Sequence, residues 1–144
     1  MSRTTLLASW LVVVLAASGC ASRDPYPRAE LAKTSGKVVW ANHPVQGLLV
    51  VLHPADGSPQ KTPVQPTGFV QEDGSFAITC YELADGAPPG EYVVTFREAP
   101  RPDGSKPLRL PPAKYRDPKK SPLKVTIENK RANVLADFVI EEQQ

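Results

Sequence analysis

The sequence predicts an all-β domain, a seven-stranded antiparallel β-sandwich, on three observations. Proline supplies 16 of the 144 residues, about twice its usual share, and helix interiors reject it because it lacks an N–H and clashes with the preceding turn. Short runs rich in Val, Ile, Leu, Phe and Tyr recur at strand length between turn signals, and no window carries a helical apolar stripe. Asp-Gly occurs four times, at Asp56-Gly57, Asp73-Gly74, Asp85-Gly86 and Asp103-Gly104. That pair suits tight turns, because Asp hydrogen-bonds its own backbone and Gly takes positive φ without steric cost. The length, with 41% hydrophobic and 22% charged residues, fits one ordinary globular domain. A formal net charge of +2 excludes a polycationic nucleic-acid arm and an acidic solvating tail, so no nucleic-acid partner is expected.

The chain opens with an address. Leu6–Ala17 is almost purely apolar and follows a short polar stretch with Arg3. A dozen apolar residues cannot span hydrocarbon, which takes about 20, but they match the apolar region of a secretory signal. Residues 1–19 therefore read as a signal peptide. Ala17, Ser18 and Gly19 before Cys20 resemble a bacterial lipobox, with Ala17 where leucine is commonest. That resemblance implies cleavage before Cys20, a diacylglyceryl group on its thiol and acylation of the new amine. Two or more acyl chains anchor stably where one binds only marginally. The expected location is the cell envelope, lipid-anchored and facing the periplasm or cell surface, with the membrane as a partner. Acylation of Cys20 would leave Cys80 without a disulfide partner. Residues 20–34 are polar, carry Pro25 and Pro27, and read as the lipidated tether. The sandwich domain is assigned to 35–144.

The predicted strands are Lys37–Ala41, Gly47–His53, Thr67–Gln71, Ser75–Tyr81, Glu91–Glu98, Leu123–Glu128 and Val134–Glu141. Asp73-Gly74 should close a hairpin between the third and fourth. Alternation sets the faces. Phe76, Ile78 and Cys80 share one side, which makes Cys80 a buried small hydrophobe. Tyr92, Val94 and Phe96 oppose Glu91, Val93, Thr95 and Arg97, and Val134, Ala136, Phe138 and Ile140 form the apolar side of the last strand. Such strands pack on one face and stay wet on the other. The acidic ligands of a calcium loop are not grouped around any Asp-Gly pair, so these read as turns.

Ala99–Pro122 contains seven prolines and seven basic residues against two acidic ones. So many missing donors exclude a central strand; the segment reads as a long connection with a short edge strand around Leu108–Leu110.

Ser35–Pro54 (SGKVVWANHPVQGLLVVLHP), Glu72–Ile78 (EDGSFAI) and Gly86–Phe96 (GAPPGEYVVTF) resemble carboxypeptidase regulatory-like domains. Leu110–Val125 (LPPAKYRDPKKSPLKV) resembles the version found in small bacterial envelope lipoproteins. The resemblance covers nearly all of residues 35–141 and rests on turns and core positions. It implies an immunoglobulin-like, transthyretin-like sandwich, used elsewhere as an accessory or binding module.

Metalloprotease, nucleophile-elbow, P-loop, CxxC and dinucleotide motifs are absent from the sequence, so no catalytic residue, metal or cofactor is assigned. Intradiol dioxygenases, on a related sandwich, hold iron with two Tyr and two His. Here His43 and His53 lie ten apart and precede Tyr81, Tyr92 and Tyr115, with only Tyr26 before them, and each histidine stands before a proline. Hydroxyisourate hydrolases end in Tyr-Arg-Gly-Ser, whereas this chain ends Ile140-Glu141-Glu142-Gln143-Gln144. Trp40 reads as core or sheet-edge packing. The remaining polar concentration is basic: Lys114, Tyr115, Arg116, Lys119 and Lys120 form a candidate contact for an acidic polysaccharide, phospholipid headgroup or acidic envelope protein. The competing reading is a solvated loop, with Tyr115 an anchor tucked into the sandwich edge. The expected function is a non-catalytic, membrane-anchored envelope module with a structural or interaction role. The alternatives are a carbohydrate- or peptide-binding protein using exposed loops or an edge strand, and, behind it, an unrecognised hydrolase.

Overall fold

The computed structural model describes residues 28–100, 103 and 109–142. The signal segment, Cys20 and the tether through residue 27 lie outside them, as does Leu108. The described elements are β1 Lys33–Trp40, β2 Leu48–Pro54, β3 Thr67–Phe69, β4 Ser75–Thr79, β5 Gly90–Glu98, a 3-10 helix Ala113–Arg116, β6 Lys124–Ile127, β7 Ala132–Val134 and β8 Phe138–Ile140. They form a mixed sheet in the order β6-β5-β2-β3-β4-β1-β7, with β8 also on β1. The sheet curls on itself: Phe96 of β5 and Phe138 of β8, far apart along that path, meet edge to face at 6.5 Å between ring centroids. Phe76 stacks on Phe138 at 5.5 Å. The result is an all-β, sandwich-like body around an aromatic and aliphatic core.

Two features depart from seven antiparallel strands. The described residues form eight strands, and β7 and β8 run parallel to β1. Both have one origin, the predicted last strand, which breaks in two. Thr34 lies opposite Asn133 while Val38 lies opposite Phe138, so β1 spans four residues where its partner spans five. One inserted residue shifts the alternation, as a bulge does. Asn133 is buried ahead of the break and Phe138 and Ile140 after it, whereas Val134 is 83% exposed and Ala136 is exposed. The expected apolar face of Val134, Ala136, Phe138 and Ile140 is therefore half wrong. Without the shift, a core holding Asn133 and Leu135 would also take in Asp137, an uncompensated buried charge.

β1 begins at Lys33, four residues before the predicted start, because Ala32 and Thr34 are buried. Ala32 exchanges backbone hydrogen bonds with Ala87, and the Thr34 hydroxyl donates to the Ala32 carbonyl at 2.9 Å. β5 departs from a wet outer face too. Tyr92, Val94 and Phe96 enter the core, but Val93 and Thr95 are buried as well. The Gln65 amide reaches over this face to the Leu52 carbonyl and the His53 ring.

The β3–β4 hairpin forms as expected. Gln71 N–H donates to Ser75 O and Gly74 N–H to Gln71 O. The Asp73 carboxylate takes the Ser75 amide at 2.9 Å and its hydroxyl at 2.6 Å. Gly74 has φ 84°, and a Cβ there would stand 2.4 Å from the Val38 carbonyl oxygen. Cys80 is a free, buried thiol.

The pairings give the body two distinct ends. Lys33↔Ala132, Pro54↔Tyr92, Thr67↔Thr79 and Gly90↔Ile127 lie towards one end, where the described chain starts at Arg28. The β1–β2 turn, the β3–β4 hairpin and Glu142 lie at the other.

Candidate functional site

The proline-rich segment is a strap rather than a strand. Arg109 and Leu110 belong to no strand, which corrects the predicted edge strand at the two of its three residues that are described; the prolines leave too few donors for a ladder. Prolines still shape the strap usefully. Pro111 is buried, and Pro112 precedes the 3-10 helix, its carbonyl accepting from Tyr115 N–H at 2.9 Å. That turn drives Tyr115 inward. Its side chain is 2% exposed, its ring lies 6.4 Å from that of Phe96, and its hydroxyl accepts from the Glu141 amide at 3.1 Å. Asp117 then winds the chain back: its carboxylate takes the Lys119 amide at 2.9 Å and its carbonyl the Lys120 and Ser121 amides. The buried Ser121 hydroxyl donates to Val94 O. The strap thus closes the side of the body between β5 and the end of β8.

Of the five strap residues assigned to an acidic partner, the structure separates one from the rest. Tyr115 is internal. Arg116, Lys119 and Lys120 are exposed and Lys114 is half-buried, its ammonium 4.9 Å over the Tyr115 ring. Lys120 makes a loose 3.9 Å pair with Asp117. Lys119 rims a shallow hollow of about 580 Å³ lined by His53, Pro54, Pro59, Val93 and Pro118 among others.

A second polar cluster, at the end remote from Arg28, escaped the sequence. Glu142 accepts from Trp40 Nε1 at 2.9 Å and from Arg109 Nη2 at 3.0 Å, with His43 Nε2 3.1 Å from the same carboxylate. The Arg109 guanidinium stands 5.7 Å from the Trp40 ring centroid, and the Trp40 and His43 rings are 4.5 Å apart. His43 Nε2 also lies 3.2 Å from Arg109 Nη1. Protonated, that nitrogen donates to Glu142; bare, it accepts from Arg109. The only local signal was the turn after Trp40, in which His43 N–H donates to Trp40 O. The partners arrive from 66 and 102 residues away, a separation that no motif spacing encodes. Trp40 is core, 4% exposed.

His53 is held between Thr95 Oγ1 at 2.9 Å and the Gln65 amide at 3.0 Å. The amide N–H donates to Nδ1, so Nε2 carries the hydrogen and donates to Thr95. Burial, with Arg97 nearby, pushes its imidazole below the ordinary value, and the ring is neutral. His43 lies in the β1–β2 turn and His53 near the far end of β2, opposite Val93, so they share no ligand site. Among the described residues, no group of three or more His, Cys, Asp or Glu is placed to hold a metal ion, and no helix is long and apolar enough to cross a membrane. Comparison with family models, curated proteins and solved structures gave no match to this chain.

Proposed function

We propose that this chain is a non-catalytic, lipid-anchored module of the cell envelope, a transthyretin-like domain of the carboxypeptidase regulatory-like kind whose role is structural or interactive. The observation that carries the reading is where the chain enters the body. Arg28, eight residues after Cys20 in the sequence, and Ala29 are held on the body by specific contacts. Arg28 pairs with Glu82 at 2.9 Å, and Ala29 N–H donates to the Tyr81 hydroxyl at 3.1 Å. A body held this close to its anchor keeps a fixed end towards the membrane and offers the other to partners. Mass spectrometry of the membrane-extracted protein tests this: a mature chain starting at acylated Cys20 is expected, and an unmodified chain starting elsewhere would refute it.

A second reading, binding of an acidic polysaccharide or protein, is favoured by the strap. It holds Arg116 and Lys119 exposed with no ion pair among the described residues. Replacing Lys114, Arg116, Lys119 and Lys120 by Gln should then weaken binding to an anionic glycan. Wild-type binding should fall as salt shortens the Debye length to about 8 Å at 0.15 M. Binding indifferent to both changes removes this reading.

A further inference from the structure

We infer that the loop Cys80–Gly86 is a membrane-contacting tip, with Leu83 entering the headgroup–acyl boundary of the bilayer that carries the anchor. This rests on the lipid-anchor reading above. Leu83 is 92% exposed, the most exposed large apolar side chain among the described residues. Singly exposed apolar residues are ordinary, so exposure alone decides nothing. Three further observations do.

The loop is built rigid. The Asp85 carboxylate accepts from the amides of Cys80 at 2.7 Å, Tyr81 at 2.8 Å and Glu82 at 2.8 Å. The Thr79 hydroxyl oxygen takes the Ala84 amide at 3.0 Å, with Ala84 in the left-handed region at φ 58°. Gly86 N–H closes the loop on Ile78 O. A tip already ordered loses little entropy on docking.

Arg28 and Ala29 lie across this loop. Arg28 bonds Glu82 and stands 5.3 Å from the Tyr81 ring centroid, and Ala29 bonds the Tyr81 hydroxyl. Eight residues reach at most about 28 Å when fully extended, which keeps this end of the body near the surface in which Cys20 is held.

The surroundings suit an interface. Val64, 51% exposed, flanks the loop base, where Cys80 Sγ approaches its carbonyl at 3.6 Å. Glu82 is neutralised by Arg28 and Glu128 by Lys130. Lys33 and Arg131 are exposed at this end, as are the acids Glu30, Asp56 and Glu91. Cations at headgroup level are drawn to lipid phosphates.

The test uses the full precursor, processed in a bacterium that acylates lipoproteins and reconstituted into phosphatidylcholine vesicles with and without brominated acyl chains. Leu83→Trp is compared with Glu72→Trp in the hairpin at the far end; Trp40, buried, supplies the same background to both. The Leu83→Trp chain should be quenched at least about threefold more than the Glu72→Trp chain, with a blue-shifted emission, as for side chains seated at the acyl boundary. Equal quenching, or none, in protein shown by mass to be acylated and by flotation to be vesicle-bound overturns the proposal and leaves the anchor standing. Emission that shifts in cell envelopes but not in pure lipid assigns the tip to a protein and also overturns it. A chain that carries no acyl group overturns both readings.

Discussion

Single side chains decide how the strap is held. Tyr115 combines a ring packed against Phe96 with a hydroxyl bonded to the chain at Glu141, and two substitutions separate these contributions. Tyr115→Phe should cost about 1 kcal/mol, the usual worth of one hydrogen bond. Tyr115→Ala should cost about 3–5 kcal/mol for a buried aromatic side chain. Denaturant midpoints measure both, and equal effects would contradict the packing role of the ring. Cys80 is the complementary case. Burial pushes its thiol up, so it stays protonated and inert at neutral pH. A thiol reagent should label it only in denaturant; rapid labelling of the native protein would show the side chain to be accessible. Glu142 behaves differently again, since one carboxylate collects Trp40, His43 and Arg109 and so ties three stretches of chain together.

At the scale of elements, the turns are more tightly specified than the strands they join. Gly86 has φ 104°, and a Cβ there would lie 2.0 Å from the Ala32 carbonyl oxygen. Gly86→Ala should therefore lower stability by at least about 1–3 kcal/mol, from backbone strain and the clash with β1 together. Thermal denaturation checks it, and an unchanged midpoint would mean that the Ala32–Ala87 pairing is not needed. The strap is the opposite kind of element, pinned from inside by Tyr115 and Ser121 and loosely decorated outside. Exposed charges each contribute under about 1 kcal/mol, so the quadruple Gln variant at 114, 116, 119 and 120 should melt within a few degrees of wild type. A large loss of stability would assign those cations a structural role.

For the whole molecule, acid sensitivity should have a component from His53. Burial, followed by the charge of Arg97, lowers its folded pKa below the ordinary 6.5. Between that lowered value and 6.5 the unfolded chain binds a proton that the folded chain refuses, so stability rises with pH across this window. Lowering the pH from 7 towards 5 by buffer exchange should lower the melting temperature, and His53→Gln should flatten that dependence. An unaltered slope in the variant would place the acid sensitivity elsewhere. Asp85 adds a lower window. Burial opposes its charge, but the amides of Cys80, Glu82 and Tyr81 outweigh it and depress its pKa. Its stabilisation is complete above the ordinary carboxylate range and is lost as pH falls through the folded value.

Local chemistry was legible in the sequence wherever neighbours along the chain suffice to express it. Proline content, Asp-Gly turns and period-two alternation determined the all-β class, the β3–β4 hairpin, the inward set Tyr92, Val94 and Phe96, and the burial of Cys80. Each depends on backbone preferences or on side chains two residues apart. What only the tertiary structure decided depends on partners distant in sequence. The inserted residue between β7 and β8 follows from where β1 accepts them, which lets Phe138 and Ile140 enter the core while Asp137 stays out. The middle of β5 is buried on both faces where the His53 ring, held by Gln65, bonds Thr95, and the Glu142 cluster exists because three remote segments end at one place. Such contacts follow from how the sheet curls, and alternation along one strand records which face a residue takes but not what will cover it.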